Sequence, residues 1–310
     1  MSTLCESPRG GFELPPSLRK LPPLPSVALK AMRVLAREEA DTREIEEVVS
    51  SDTVFAADLL CCANSALFGL PAQVKTLRHA IMIVGRERLK GLILTTALRS
   101  FVKAPLRSSR YRSWWNHSLG TAMLSEAFVV AGGFHCPEAY TAGLLHDIGS
   151  VGLLMGVPEG EYREFQRAVE NRFSPTIEAE RERWNTDHCE LGGMLLEEWG
   201  FPEEIVSAAR RHRGQEVWHG AEPLSFTHLS CMLSESLGFE AVKRRRSWPV
   251  IAIPDDVPRQ VRDLVAPDRE SLRRALHKRV QAMSGSSKPV GGGPLPFEGP
   301  LEQALLGRGN

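Results

Sequence analysis

The chemistry available to this sequence lies in four histidines and one aspartate: His117, His146, Asp147, His188 and His212. His146 and Asp147 are adjacent, at the centre of EAYTAGLLHDIGSVGLLMG (138–156), where Ala139, Ala142, Leu144 and Leu145 give the pair an apolar approach. Neighbouring residues on a helix point about 100° apart, so both side chains can reach one ion beside the helix. A buried carboxylate is costly unless a metal or a group of histidines partners it. The other three histidines fall on apolar faces or ends of separate predicted helices, and a bundle can gather such side chains into a core metal site. Fe, Mn, Zn or Mg suits imidazole and carboxylate ligands. Asp147 can bridge two ions or complete a two-His-one-carboxylate face. A bound ion would lower the pKa of a water and turn it toward phosphorus, with Asp147 as the catalytic carboxylate. The same residues admit a metal-free alternative: His146 and Asp147 as a hydrogen-bonded brace, and His117 as a core histidine bonded to a backbone carbonyl.

Around these five, Arg210, Arg211 and Arg213 flank His212 and are candidates for an anionic ligand such as a nucleotide phosphate, or else form a solvated face. Asp187 precedes His188 and reads either as its orienting partner or as a surface cap. Gly149 and Gly152 allow a turn or close packing just behind the pair. Asn64 and Ser65 read as turn residues that bond local backbone, with Phe68 anchoring the turn. Cys61, Cys62 and Cys189 read as small core residues or inert thiols, and His79, His135, His219 and His277 as ordinary surface or loop histidines.

The elements that must position these side chains are helical throughout. Ser26–Arg37 opens the helical part. Asp41 and Asp52 have the form of N-caps, each followed by an apolar stripe (Ile45, Val48, Val49, then Val54, Leu59, Leu60). Leu77–Val84 and Leu89–Ala97 continue at helical spacing. Tyr111–Ala131 carries Trp114, Trp115 and His117. Glu161–Asn171 reads as an exposed charged helix, with a further helix starting at Ile177. Two more bring in His188 and His212, and another spans Glu222–Gly238. No strand-like alternation competes, and the predicted fold is all-α.

Residues 1–13 are expected to be a disordered leader. A domain is expected over 14–240, split near 105 into an N-terminal helical subdomain and a second one holding the histidines. Its leading prolines and Leu14, Leu18, Leu21 and Leu24 lie along its surface. A basic linker and C-terminal helix fill 241–283, and a disordered Gly/Pro-rich tail fills 284–310. Thirty-eight basic residues balance 38 acidic ones, so no charge field points to nucleic acid or an anionic membrane. The six cysteines have no framework spacing, and the start of the chain lacks a signal-peptide core; a cytoplasmic protein with reduced thiols is expected.

In order, LPPLP (21–25), ANSA (63–66), AIMIVG (80–85), WNHS (115–118), AGLLHDIG (142–149), HCELG (188–192) and WGFP (199–202) resemble the HDOD family, the regulatory branch of the HD-domain superfamily. The resemblance covers roughly 14–240. It implies an N-terminal helical subdomain packed on an HD-like one, and a bacterial signalling role that binds a partner protein or phosphorylated ligand. The metal-dependent phosphohydrolases and phosphodiesterases of the superfamily are the enzymatic alternative, and a metal-free scaffold the third. The departures count against hydrolysis. The late helix at Phe226–Cys231 lacks the further Asp of the hydrolases, with only His228 as a substitute. Ser150 stands at the lysine position of the HD-GYP enzymes, no GYP occurs, and His212-Arg213 replaces paired histidines. Loss of that lysine removes charge stabilisation, the largest single contribution in phosphoryl chemistry.

Overall fold

The computed structural model describes residues 24–37, 39–65, 73–102, 109–170, 176–214, 218–242, 253, 255–265 and 269–284. Among them the chain forms fifteen helices and no strand. Phe68, Leu14, Leu18, Leu21, the 1–13 leader, Lys243–Arg246 and the tail beyond 284 lie outside the described residues; Leu24 is buried, as expected for the proline-leucine segment.

An N-terminal layer comprises α1 (Ser26–Leu35), α2 (Thr42–Ser50), α3 (Thr53–Ala63), α4 (Leu77–Val84) and α5 (Arg86–Val102). Local chemistry sets its boundaries. The Asp41 carboxylate accepts from the Arg43 N–H, and Asp52 accepts from the N–H groups of Val54 and Phe55. These bonds satisfy amides that a helix start leaves unpaired. After α3 the Asn64 amide takes up both backbone groups of Val74, donating to its carbonyl at 2.8 Å and accepting from its N–H at 2.7 Å. Ser65 Oγ donates to the Cys62 carbonyl, so both turn residues have the predicted local role.

The rest is built around α6 (Ser109–Gly132), a 24-residue helix with Trp114, Trp115, His117, Leu119, Ala122, Leu124 and Phe128 all buried. A helix buried on nearly every face belongs inside a bundle. Against it pack α7 (Ala139–Leu145), α8 (Ile148–Gly156), α13 (Pro223–Ser236), α14 (Arg259–Val265) and α15 (Arg269–Ser284). Outside these lie α9 (Glu159–Glu170), α10 (Thr176–Trp184), α11 (His188–Glu198) and α12 (Glu203–Arg211). One apolar cluster runs from Leu24 to Val280 through both layers.

Three features depart from the sequence reading. The helix expected to run through His146-Asp147 stops there: Asp147 has φ −107° and ψ 22°, and α8 starts afresh at Ile148. The freed Asp147 carbonyl accepts from Trp114 Nε1 at 2.7 Å and from the Ser150 N–H at 3.1 Å. α9 is not exposed throughout, because Tyr162, Phe165 and Val169 bury one face. In place of one C-terminal helix the described residues form two, α14 and α15, and Val261, Leu272, Leu276 and Val280 join the common core on α6.

Candidate metal centre

Two small-residue contacts bring the polar side chains together. A Cβ on Gly143 would lie 2.9 Å from Ala122 Cα, so α7 closes on α6 little more than one turn beyond His117. A Cβ on Gly149 would lie 2.0 Å from the His188 carbonyl oxygen and 2.5 Å from the Gly192 nitrogen, so α8 touches the backbone of α11. Close packing, one of the two readings of Gly149, is the one observed. His117, His146, Asp147, His188 and His212 all converge between these helices, none more than 2% exposed.

Each imidazole is held from its outer nitrogen. His117 Nδ1 is 2.7 Å from the Phe239 carbonyl, His146 Nδ1 is 2.8 Å from the Gly143 carbonyl, and His212 Nδ1 is 2.8 Å from the Ala209 carbonyl. A carbonyl only accepts, so each Nδ1 carries its hydrogen and each neutral ring turns a bare Nε2 lone pair inward. His188 Nδ1 donates to Glu180 Oε2 at 2.6 Å, and the His188 N–H donates to the same oxygen at 3.0 Å. A histidine that ligates a metal almost always donates its other N–H to a carbonyl or carboxylate in this way.

Between His117 and His146 the inward side is left short of hydrogens. His117 Nε2 and His146 Nε2 face each other at 3.1 Å, and with each Nδ1 hydrogen given to a carbonyl neither neutral ring has one to place between them. His188 Nε2 and Asp147 Oδ1 stand 3.6 Å apart, and neither His188 Nε2 nor Asp147 Oδ2 has a hydrogen-bond partner. Ser150 Oγ donates to Asp147 Oδ1 at 2.6 Å, so the side chain at the lysine position of the HD-GYP enzymes bonds the aspartate. Two thiols complete the surroundings. Cys231 Sγ lies 3.5 Å from His117 Nε2, and Cys189 Sγ lies 3.7 Å from His212 Nδ1. Two groups thus have the composition and spacing to hold a metal ion, His117/His146/Cys231 and His188/Cys189/His212. Facing lone pairs repel unless a cation lies between them, and the donor set fits a metal ion.

Electrostatics favours a metal over a proton at most of these rings. Burial drives the pKa values of His146 and His212 well below the ordinary histidine value, reinforced by neighbouring rings and by Arg213. Burial also lowers His117, with Asp147 opposing in part. His188 goes the other way. Burial disfavours its charge, but Cys189, Glu180 and Asp147 outweigh it and hold the pKa well above normal. Three rings are therefore neutral and free to ligate near pH 7, and His188 must first give up a proton.

Several neighbours differ from the sequence reading. Asp187 neither orients His188 nor sits at the surface: it is buried, caps α11 by accepting from the Glu190 N–H, and pairs with Arg181 at 2.6 Å. Glu180 is the orienting carboxylate. The arginines around His212 do not form one anion site. Arg210 pairs with Glu197 at 2.6 Å, Arg211 points to solvent, and Arg213 turns inward to grip Glu235 at 2.6 and 3.0 Å. His79, His135 and His277 are exposed and His219 is half-buried, as expected.

His228 does not take the place of the absent carboxylate; Cys231, one turn further along α13, faces His117. Burial first, then Arg213, depress the His228 pKa to about 4. A histidine lowered from ~6.5 destabilises the fold on acidification, because below that pH the unfolded chain takes up a proton that the folded chain refuses. From pH 7 to pH 5 the wild type should lose about 2 kcal/mol more stability than His228→Leu. Urea unfolding at the two pH values measures this, and parallel losses would contradict it.

Residues 21–214 match the HDOD domain family. An uncharacterized protein of Treponema pallidum (strain Nichols) is 24% identical over 194 residues, covering 62% of this chain and 37% of that protein. The chain thus spans little more than a third of the length of that relative. Among solved structures, an HDOD domain protein of unknown function from Geobacter sulfurreducens superposes with a TM-score of 0.61 at 22% identity, covering 87% of this chain and 85% of that one. A protein from Shewanella amazonensis SB2B, provisionally named a phosphohydrolase, superposes at 0.64 with 21% identity, covering 87% and 96%. One from Marinobacter aquaeolei VT8, provisionally named a signal transduction protein, does so at 0.59 with 20% identity, covering 86% and 59%. At these identities the structures speak for the all-α fold alone, but the family match spans more than half the sequence: the chain belongs to the HDOD domain family.

Proposed function

We propose that this chain is a bacterial regulatory protein whose buried centre holds a divalent metal that ties α6, α7, α11 and α12 together, and whose outer surface carries a signal to a partner protein. Burial of the centre carries this reading. His117, His146 and Cys231 are 0% exposed, so a phosphate ester has no path to them in this conformation. The two groups that would steady a phosphoryl transition state are also committed elsewhere, Ser150 to Asp147 and Arg213 to Glu235. A partner has a surface to meet: a groove of about 240 Å³ between α1 and the α11–α12 turn, lined by Leu29, Met32, Lys90, Trp199 and Phe201. No helix among the described residues is long and apolar enough to cross a membrane.

Metal analysis of the purified chain tests the first half of this reading, with His146→Ala and Asp147→Ala checked for helicity alongside. At least one equivalent of a divalent transition metal is expected, falling by more than half in His146→Ala. Metal-free wild type would instead make the centre a hydrogen-bonded scaffold. The loaded protein is then assayed on nucleotides and cyclic dinucleotides, where hydrolysis at the level of the blank is expected. Turnover that vanishes in Asp147→Ala would make the protein a phosphohydrolase and end the regulatory reading.

A further inference from the structure

We propose that Cys231 ligates the buried ion as a thiolate, together with the Nε2 atoms of His117 and His146, and that the ion is therefore zinc rather than magnesium or manganese. The proposal rests on the metal reading above and specifies its ligands. The outer nitrogens of both rings are fixed on carbonyls, so two lone pairs and one sulfur converge with nothing between them. A tetrahedral zinc with Zn–N of about 2.0–2.1 Å and Zn–S of about 2.3 Å separates two nitrogens by about 3.3 Å and a nitrogen from a sulfur by about 3.6 Å. The chain presents 3.1 Å between the nitrogens and 3.5 Å from His117 Nε2 to Cys231 Sγ before any ion is added. Both distances are already close to the edges of such a tetrahedron, and all three donors lie within 4.8 Å of one another.

Ligand chemistry selects the ion. Thiolate is a soft donor that suits zinc, whereas magnesium and manganese seek carboxylate, carbonyl and water oxygens. On binding, the Cys231 S–H proton passes to the solvent as the S–metal bond forms, so each ion bound releases a proton from this site. Charge also closes: burial first, with Asp147 among the nearby carboxylates, raises the Cys231 pKa, and a dication offsets both the thiolate and that carboxylate. Arg213 beside them is neutralised by Glu235. The second thiol, Cys189, belongs with His188 and His212, so the two cysteines can be told apart by substitution.

The test uses the full chain stripped of metal and reloaded with Co²⁺, which reports thiolate ligation by an intense sulfur-to-cobalt charge-transfer band in the near ultraviolet. The band is expected in the wild type and in Cys189→Ser, and is expected to be lost in Cys231→Ser. Cys231→Asp, which supplies a hard donor at the same position, should lower the preference for Zn²⁺ over Mn²⁺ at least tenfold in competition. Cobalt bound without the band would overturn the thiolate assignment while leaving the metal reading intact. A band that disappears in Cys189→Ser and persists in Cys231→Ser would move the sulfur ligand to the other group and equally overturn it. Failure to bind either metal would overturn both readings. Should both Cys231 variants misfold, the wild-type and Cys189→Ser spectra still decide whether a sulfur other than Cys189 is bound.

Discussion

Gly149→Ala is expected to cost about 3 kcal/mol of stability or to prevent folding altogether, although it adds a single methyl group to a helix. The added carbon would lie 2.0 Å from the His188 carbonyl oxygen and 2.5 Å from the Gly192 nitrogen. Both are backbone atoms of α11 and cannot rotate aside as a side chain would. The helices must separate instead, and overpacking a well-filled core costs about 1–3 kcal/mol, sometimes more. The high end applies because separation of α8 from α11 also parts Asp147, at the start of α8, from His188, at the start of α11. Gly160→Ala is the matching control: Gly160 is exposed in the first turn of α9 with nothing within 4 Å of the new carbon, and should lose no stability. Urea denaturation of both variants decides the matter. A Gly149→Ala protein as stable as wild type would mean that α8 and α11 are not in backbone contact.

This contact was only half legible in the sequence. A glycine behind His146-Asp147 signals either a turn or a close approach, and nothing local distinguishes them, because the opposing backbone belongs to a helix some forty residues on. Signals confined to one turn of chain fared better. Asp41 and Asp52 are followed at once by the amides they cap, so both helix starts were readable from neighbours alone. The break between α7 and α8 was hidden for the converse reason. The residues around it are apolar on both sides and continue a helical pattern, while the Trp114 Nε1 that occupies the freed carbonyl comes from another helix.

The candidate centre divides along the same line. The four histidines and Asp147 stand out because such residues are rare on apolar faces, and the family likeness ordered them. Glu180 could not stand out: it sits among Glu178, Arg181, Glu182 and Arg183, yet it is 3% exposed and holds His188. Nothing in the sequence around Cys231 marks it until α13 is laid against α6. The acceptor for His117 is a backbone carbonyl, which no side-chain pattern marks. Cys231, Glu235 and Phe239 also fall beyond residue 214, where the family match ends, so the centre is completed by a helix outside the matched span.

That late helix leads to the second large effect. Glu235→Gln should destabilise the fold by about 3 kcal/mol, because it leaves the Arg213 guanidinium enclosed without its carboxylate. The pair is bidentate at 2.6 and 3.0 Å, with side chains 20% and 9% exposed, so salt screens it little. It joins the end of α12 to α13, and Cys231 lies one turn before Glu235, so the pair also fixes which residue of α13 meets His117. Removing one charge is worse than removing both, since a well-packed apolar replacement avoids the uncompensated ion. Arg213→Met combined with Glu235→Leu should therefore recover at least half of the loss, and a double-mutant cycle by chemical denaturation measures the coupling directly. The same variants separate stability from site geometry. In the apolar double variant a metal content like that of wild type would show that packing alone sets the register of α13, and a stable protein that no longer retains metal would show that the ion pair sets it. A Glu235→Gln loss below about 1 kcal/mol, the range of exposed surface pairs, would instead mean that Arg213 reaches water and that the pair holds neither helix in place.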